Sequence, residues 1–334
     1  MNVGITYDLR IDYQRQGYSD EATAEFEGIE TIEAIDSALS GMGHSTDRIG
    51  NVQNLTARLA AGQRWDLVFN IAEGLHGYGR EAQVPALLDA FCIPYTFSDP
   101  LVLAIALHKP TAKQLVRSMG LPTPDFTILN DESELNRVNL SWPVFAKPVA
   151  GGSSAGISGA SIARDRAELA RVSTDLIRRF QQPVLVESFL SGREFTVGIV
   201  GTGERARSYG VMEIFLLKDA EPAVYSFINK RNYETRVSYQ LGRDDVAARA
   251  EQIALRAWIG LGGRDAGRVD IRCDADGEPN FLEVNPLAGL HPVDSDLKML
   301  GRLQGKSHSE LIESIVASAC ERIPARTLKS VGAA

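Results

Sequence analysis

Apolar residues recur along this chain with two different periods. NVGITYD, at the start, reads as a strand. GIETIEAIDSALSGMGH then places Ile29, Ile32, Ile35 and Leu39 on one helix face, with Gly41 and Gly43 as a stop. WDLVFNIAEG reads as a buried strand, REAQVPALLDAF as a second helix, and CIPYTF as the next extended run. This βαβα series predicts a small parallel sheet covered by helices. Ligands collect at the carboxyl ends of such strands, which makes the loops after Tyr7 and Phe69 candidate site loops. PLVLAIALHKPTAKQLVRSMG is helix-like around Pro110, and LPTPDF, with prolines at 122 and 124, marks a junction. From about residue 143 the pattern changes to strands around a Gly-Ser loop, PVFAKPVAGGSSAGIS, followed by the helical run RAELARVSTDLIRRF. PVLVESFL, REFTVGIVG and YGVMEIFL are strands at meander spacing; the polar stretch KDAEPAVYSFINKRNYETRVS leads into the helix DDVAARAEQIALRAWIGLG. Helices near 296–303 and 307–322 close the pattern, and TLKSVGAA reads as a loose tail.

Between the last strands lies GRVDIRCDADGEPNFLEVNP (267–286). Val269, Ile271 and Cys273 alternate with Arg268, Asp270 and Arg272, and Phe281, Glu283 and Asn285 alternate with Leu282 and Val284. Asp276-Gly277 is a two-residue hairpin signal, since both central positions of that turn take φ > 0. That turn sets Asp270 opposite Glu283 and Arg268 opposite Asn285. Directly opposed side chains have Cβ atoms roughly 4.5–5.5 Å apart, and like charges so placed destabilise a sheet. A hard divalent cation with oxygen ligands resolves the conflict. A solvated strand face, neutralised by Arg268 and Arg272, is the competing explanation of the same residues.

Composition narrows the class. The chain has 334 residues, 44% apolar and 23% charged, enough for two or three globular domains. A net charge of −8 argues against nucleic acid as the main partner. No apolar run reaches membrane-spanning length, and MNVGITYDLR enters a strand pattern with no secretory signal. Cys92, Cys273 and Cys320 fit neither a disulfide framework nor a zinc spacing, which points to a reduced, cytoplasmic compartment.

Further polar residues stand out against this background. GGSSAG between two strands can cradle phosphate oxygens with backbone N–H groups, although it is not a Walker motif; a plain hairpin loop is the alternative. Lys147 ends an otherwise apolar strand, where a lysine is costly to bury without an anion; a snorkelling side chain is the bland account. Taken singly, Lys109 and Lys230 read as solvated lysines, Glu187 and Glu194 as strand-end acids, and Phe189 and Leu190 as core.

In order and spacing, FNIAEGLHG, IPYTFSDPLVLAIALHKPTAKQLVRSMGLPTPDF, FAKPVAGGSSAGIS, LVESFLSGREFTVGIVG and the 267–286 hairpin resemble the ATP-grasp superfamily, and within it the D-alanine–D-alanine ligase family. The resemblance covers nearly the whole chain. It implies a mixed α/β and α+β fold: a Rossmann-like N-terminal domain (1–105), a central ATP-binding lobe (106–188) and a C-terminal lobe with the metal and substrate site (189–325). Matched position by position, it implies Lys109 and Lys147 on the nucleotide, Ser153 and Ser154 in the phosphate loop, and Glu187, Phe189 and Leu190 along the adenine. Glu194 would meet the ribose and Lys230 the γ-phosphate. Asp270, Glu283 and Asn285 would hold two Mg²⁺ ions, with Mn²⁺ an alternative; Arg268 would stabilise the oxyanion of the intermediate, and Gly289 would offer a backbone N–H near the acceptor carboxylate. The implied activity is an ATP-dependent joining of two amino acids through an acyl-phosphate, in cell-wall peptidoglycan synthesis, by a cytoplasmic enzyme, with a homodimer as the implied assembly.

The departures from the family pattern concern the substrates. The first-loop acid is Glu25 or Glu27. His76-Gly77 is followed by Tyr78, Gly79, Arg80 and Glu81 in place of the family's Gly-Glu-Asp-Gly. Arg231 replaces a tyrosine and is a candidate partner for a substrate carboxylate. PLAGLHPVDSDL replaces the segment that receives the second carboxylate. Another dipeptide, amide or depsipeptide product, or a nucleotide-binding homologue without catalysis, are the alternatives.

Overall fold

The structure is a computed structural model that describes residues 1–323; the loose tail expected at 327–334 lies outside the described residues. It holds three sheets in chain order. β1 (Asn2–Tyr7), β2 (Ser45–Gly50) and β3 (Leu67–Ile71) form a parallel sheet in the order β2-β1-β3. Every residue of β3 is buried, which is why it reads as an unbroken apolar run. Helix Ile29–Gly41 buries Ile32, Ile35 and Leu39, while Ile29, on its first turn, stays exposed.

The second sheet is antiparallel, in the order β4-β7-β5-β6, from β4 (Phe126–Leu129), β5 (Val144–Pro148), β6 (Ile162–Ala163) and β7 (Val184–Ser188). Helix Arg166–Phe180, N-capped by Asp165, packs Leu169 and Leu176 into its core. The third sheet, in the order β10-β9-β8-β11-β12, comprises β8 (Glu194–Val200), β9 (Arg207–Leu216), β10 (Val237–Leu241), β11 (Ala266–Cys273) and β12 (Pro279–Asn285), all antiparallel. Helix Asp245–Leu261 lays Ala247, Ala250, Ala254, Ala257 and Trp258 on one of its faces, and Val116 of helix Lys109–Ser118 joins that core. The mixed α/β and α+β class is therefore what the chain adopts. The polar stretch at 218–238 folds into two short helices, Phe227–Arg231 and Tyr233–Arg236, that feed β10.

The β11–β12 hairpin differs from its expected form. Of the turn residues only Gly277 has positive φ, at 84°, and Gly277 N–H donates to the Asp274 carbonyl. The loop thus spans three residues with glycine in the left-handed position, rather than two. Beside the turn Ile271 pairs with Phe281; beyond a register shift Asp270 pairs with Glu283 and Arg268 with Asn285. Leu282 is the extra residue, so Phe281 is buried while Leu282 and Glu283 both reach the opposite face. The expected facing of Asp270 and Glu283 is present; the strict alternation through Phe281 is not.

The last helix, His308–Arg322, opens with a capping box of Ser307 and Glu310 and shares one apolar core with helix Ile29–Gly41. Asp265, fully buried at φ 62°, ties these parts together. It accepts Phe97 N–H at 2.8 Å, Ser318 Oγ at 2.9 Å and Arg322 Nε at 3.0 Å. Asp265→Ala strands the Arg322 guanidinium and puts a Cβ-only residue in the left-handed region, and is expected to cost about 3–5 kcal/mol. Asp265→Asn keeps one acceptor oxygen and tolerates that φ, so its loss in urea denaturation should be smaller; equal losses would contradict this account.

Candidate active site

Helix Lys109–Ser118 sets Lys109 and Lys113 one turn apart on one face. Both are buried, as is Lys147 at the end of β5. The β5–β7 register places Phe145 opposite Glu187, which makes Lys147 the diagonal neighbour of that carboxylate. Glu187 therefore lies 2.9 Å from Lys113 Nζ and 2.7 Å from Lys147 Nζ. Burial acts to raise the Glu187 carboxyl, but Lys113 and Lys147 outweigh it and hold it below the ordinary range. Burial pushes the Lys113 ammonium down to about 8 against the pull of Glu187. Lys113 escaped the sequence reading; its only signal is the i,i+4 spacing from Lys109. Lys109 meets Glu283 at 3.3 Å and donates to the Gly151 carbonyl.

Across the hairpin, Asp270 accepts Thr196 Oγ1 at 2.8 Å and the Asn285 amide at 3.4 Å, and pairs with Arg268. Burial raises the Asp270 carboxyl, Glu283 adds to that, and Arg268 opposes it. Glu283 goes the other way: Lys109, Lys147 and Arg268 overcome its burial and hold it well below the usual carboxylate range. Two carboxylates and an amide converging from one hairpin form an oxygen donor set that fits a hard cation. Asp296, also absent from the sequence reading, is buried 3.1 Å from Lys230 and 3.3 Å from Arg268, with its Oδ1 unpartnered. Its place at a helix start made it resemble an ordinary first-turn acid.

The 151–156 loop carries Ser153 at φ 48° and Ser154 at φ 56°. Left-handed non-glycine residues cost of order 1–3 kcal/mol each and concentrate where a backbone must present its N–H groups to a ligand. Ser154 Oγ donates to the Tyr225 carbonyl at 3.2 Å, and Phe227 N–H donates to Ile157 at 3.4 Å. These bonds tie the loop to the helix that carries Lys230.

Two cavities meet here. One has apolar walls, from Phe145, Phe189, Leu190 and Leu282, with Lys147, Glu187, Glu194 and Asp270 among its polar groups. At its edge Arg272, which the sequence offered only as a neutraliser of the hairpin acids, lies 3.1 Å from Glu194 and over the Phe189 ring. The other cavity is polar and reaches the first-sheet loops through Glu25, Glu27, Glu73 and Glu81, with Ser153, Asn285 and Gly289 also on its wall. Lys230, Arg268 and Glu283 line both.

Of the two first-loop acids, Glu27 is taken up by Thr31 Oγ1 and by Leu290 N–H, next to Gly289, whereas Glu25 pairs with Arg80 at 2.7 Å. His76 is exposed and is not among the cavity-lining residues; Glu73, three residues earlier, takes a place on the wall. Arg231 lines a neighbouring recess that shares Ser153 and Lys230 with the polar cavity, and lies 3.5 Å from Asp20.

Comparison with known proteins gives a consistent picture. A family model described as the D-ala D-ala ligase C-terminus matches residues 115–317. A D-alanine–D-alanine ligase of Bordetella avium is 36% identical over 82% of this chain and 84% of its own length. One from Aquifex aeolicus is 32% identical over 86% of this chain and 94% of its own length. Among solved structures, the Bacillus anthracis D-alanine–D-alanine ligase complexed with ATP superposes with a TM-score of 0.73 at 22% identity, covering 96% of this chain and 98% of that one. The VanG D-Ala:D-Ser ligase of Enterococcus faecalis has the same TM-score at 18% identity, covering 95% and 99%. At those identities the structural likeness speaks for the fold.

Glu81 supplies a test of the electrostatics. Burial pushes its carboxyl up to about 7, with Arg80 opposing and Glu25 adding to the rise. A carboxyl whose pKa rises on folding contributes stability below its unfolded pKa, about 4.3, and loses it as pH climbs through the folded value. Glu81→Gln should therefore melt at a higher temperature than the parent protein at pH 8. The gap should close toward pH 4; a difference independent of pH would refute this assignment.

Proposed function

The chain belongs to the D-alanine–D-alanine ligase family, and we propose that it works as an ATP- and magnesium-dependent ligase that joins two amino acids through an acyl-phosphate. The observation that carries this reading is the shared wall of Lys230, Arg268 and Glu283 between an apolar-walled cavity suited to a nucleotide and a polar cavity suited to an amino acid. A phosphoryl group passing from one to the other must cross that wall.

In this reading the apolar cavity takes the adenine beside Phe189 and Leu190 and the ribose at Glu194. Lys147 and Lys109 face the phosphates, with Ser153 and Ser154 offering backbone N–H groups. Asp270, Glu283 and Asn285 would hold magnesium, which when bound offsets triphosphate charge and polarises the γ-phosphoryl group. The donor carboxylate forms a bond to the γ-phosphorus as the bond to ADP breaks, and Lys230 neutralises charge brought together there. The amine of the acceptor then bonds to the acyl carbon, loses a proton, and phosphate departs. Arg268 faces the oxyanion of that second step, and preorganised donors of this kind are typically worth ~3–4 kcal/mol. Of the first-loop acids, Glu25 is the proposed partner of the donor ammonium, a reading supported by the engagement of Glu27 with Leu290 and Thr31. Three free cysteines and, among the described residues, no helix long and apolar enough to cross a membrane support a cytoplasmic setting.

Purified protein with ATP, Mg²⁺ and a panel of D- and L-amino acids should release ADP and yield a condensed product of the mass of two amino acids less water. Arg268→Ala should lower kcat by about 10²–10³. Nucleotide binding with no ADP release for any pair would defeat the catalytic reading.

A further inference from the structure

The polar cavity carries more negative charge than an ordinary donor amino acid can use. Glu25, Glu73 and Glu81 bring carboxylate oxygens within 4.8 Å of one another at the first-sheet end of the cavity. Among the described residues only Arg80 pairs with this group, and it does so through Glu25. The other cations on the wall are committed elsewhere: Lys109 to Glu283, Lys230 and Arg268 to Asp296, and Arg10 to the carbonyls of Thr23 and Phe26. Glu81 is 8% exposed, faces the cavity, and has no hydrogen-bond or ion-pair partner among the described residues. On the same cavity the buried Oδ1 of Asp296 is unpartnered as well. A buried carboxylate without a partner is costly, so its position calls for a cation that arrives from outside.

We propose that this corner receives a positively charged side-chain group of the donor, so that the ligase activates a basic amino acid such as a diamino acid. This rests on the ligase reading above and deepens it. The charge count leads there: Arg80 and the donor's α-ammonium both meet Glu25, so two cations face three carboxylates and one negative charge is still uncompensated. The Arg80 guanidinium, 2.7 Å from Glu25, disfavours a metal ion in that corner and favours an organic cation. Burial and mutual repulsion raise both Glu73 and Glu81, which matches a site whose charges are compensated only when ligand is present.

The test is calorimetric binding to the full chain with Mg²⁺ and a non-hydrolysable ATP analogue. Ornithine is compared with norvaline, the same skeleton without the side-chain amine, in both chiralities. In one chirality ornithine should bind at least about tenfold more tightly. Glu73→Gln and Glu81→Gln, each confirmed folded by thermal melting, should remove most of that ratio. Norvaline binding as well as ornithine, a ratio unchanged in both variants, or Mn²⁺ alone binding at a site that Glu81→Gln abolishes would overturn the proposal. The two readings fail separately. A preference for ornithine without ADP release under turnover conditions sinks the catalytic reading and leaves this one standing. ADP release with alanine and no preference for the diamino acid does the reverse.

Discussion

The centre of this protein depends on one extra residue in a strand. If β12 kept the register it has beside the turn, Glu283 would fall opposite Val269 on the core face. A carboxylate there would be buried among Phe281, Val284 and the alanines of helix Asp245–Leu261. The bulge at Leu282 turns Glu283 back beside Asp270 and brings Leu282 to the apolar cavity at the same time. One local irregularity therefore makes both the paired acids and part of the wall next to them. The conflict between Asp270 and Glu283 is then divided unequally, since Lys109 and Lys147 hold Glu283 ionised while Asp270 leans on Arg268.

How far the chain could be read follows from which interactions are local. Periodicity located the strands β1, β3, β5, β7, β8, β9, β11 and β12 and the long helices, because each buries one face against a core. It did not reveal β2, whose STDRIG sequence is largely polar, the short β4 and β10, or the two-residue β6. Pairing of Asp270 with Glu283 was legible because the chain reverses nearby, but the three-residue turn and the bulge, one offsetting the other, were not. Lys113 and Asp296 were missed for a common reason. Each is defined by a partner far along the chain (Glu187, and Lys230 with Arg268), and nothing local sets them apart from ordinary surface charges. His76 is exposed in this structure, and Glu73, three residues earlier, lines the polar cavity.

The charges also sort by location. Around Glu187, Lys113 and Lys147 leave one cation in excess in a buried setting, where each desolvated ion costs several kcal/mol unless compensated. On the far side of the shared wall, Glu25, Glu73 and Glu81 leave anions in excess. Opposite surpluses a short way apart would ordinarily find one another. Here they are separated by Glu283, which is paired with Lys109, and by Lys230, Arg268 and Asp296, which are paired among themselves. The arrangement is incomplete by itself and is completed by an anionic ligand on one side and a cationic one on the other.

That incompleteness has a thermodynamic meaning. Raised carboxyls at Glu73 and Glu81, left-handed serines at 153 and 154, and the unpartnered Oδ1 of Asp296 each work against the folded state without ligand. They lie together on the loops and helix starts that meet at the two cavities. The cores under the three sheets, by contrast, are clusters of apolar side chains. The rest of the fold, held by those cores and by the Asp265 network, has to carry that load. It follows that ligands which neutralise the two surpluses stabilise the folded protein through the same contacts that orient them for reaction.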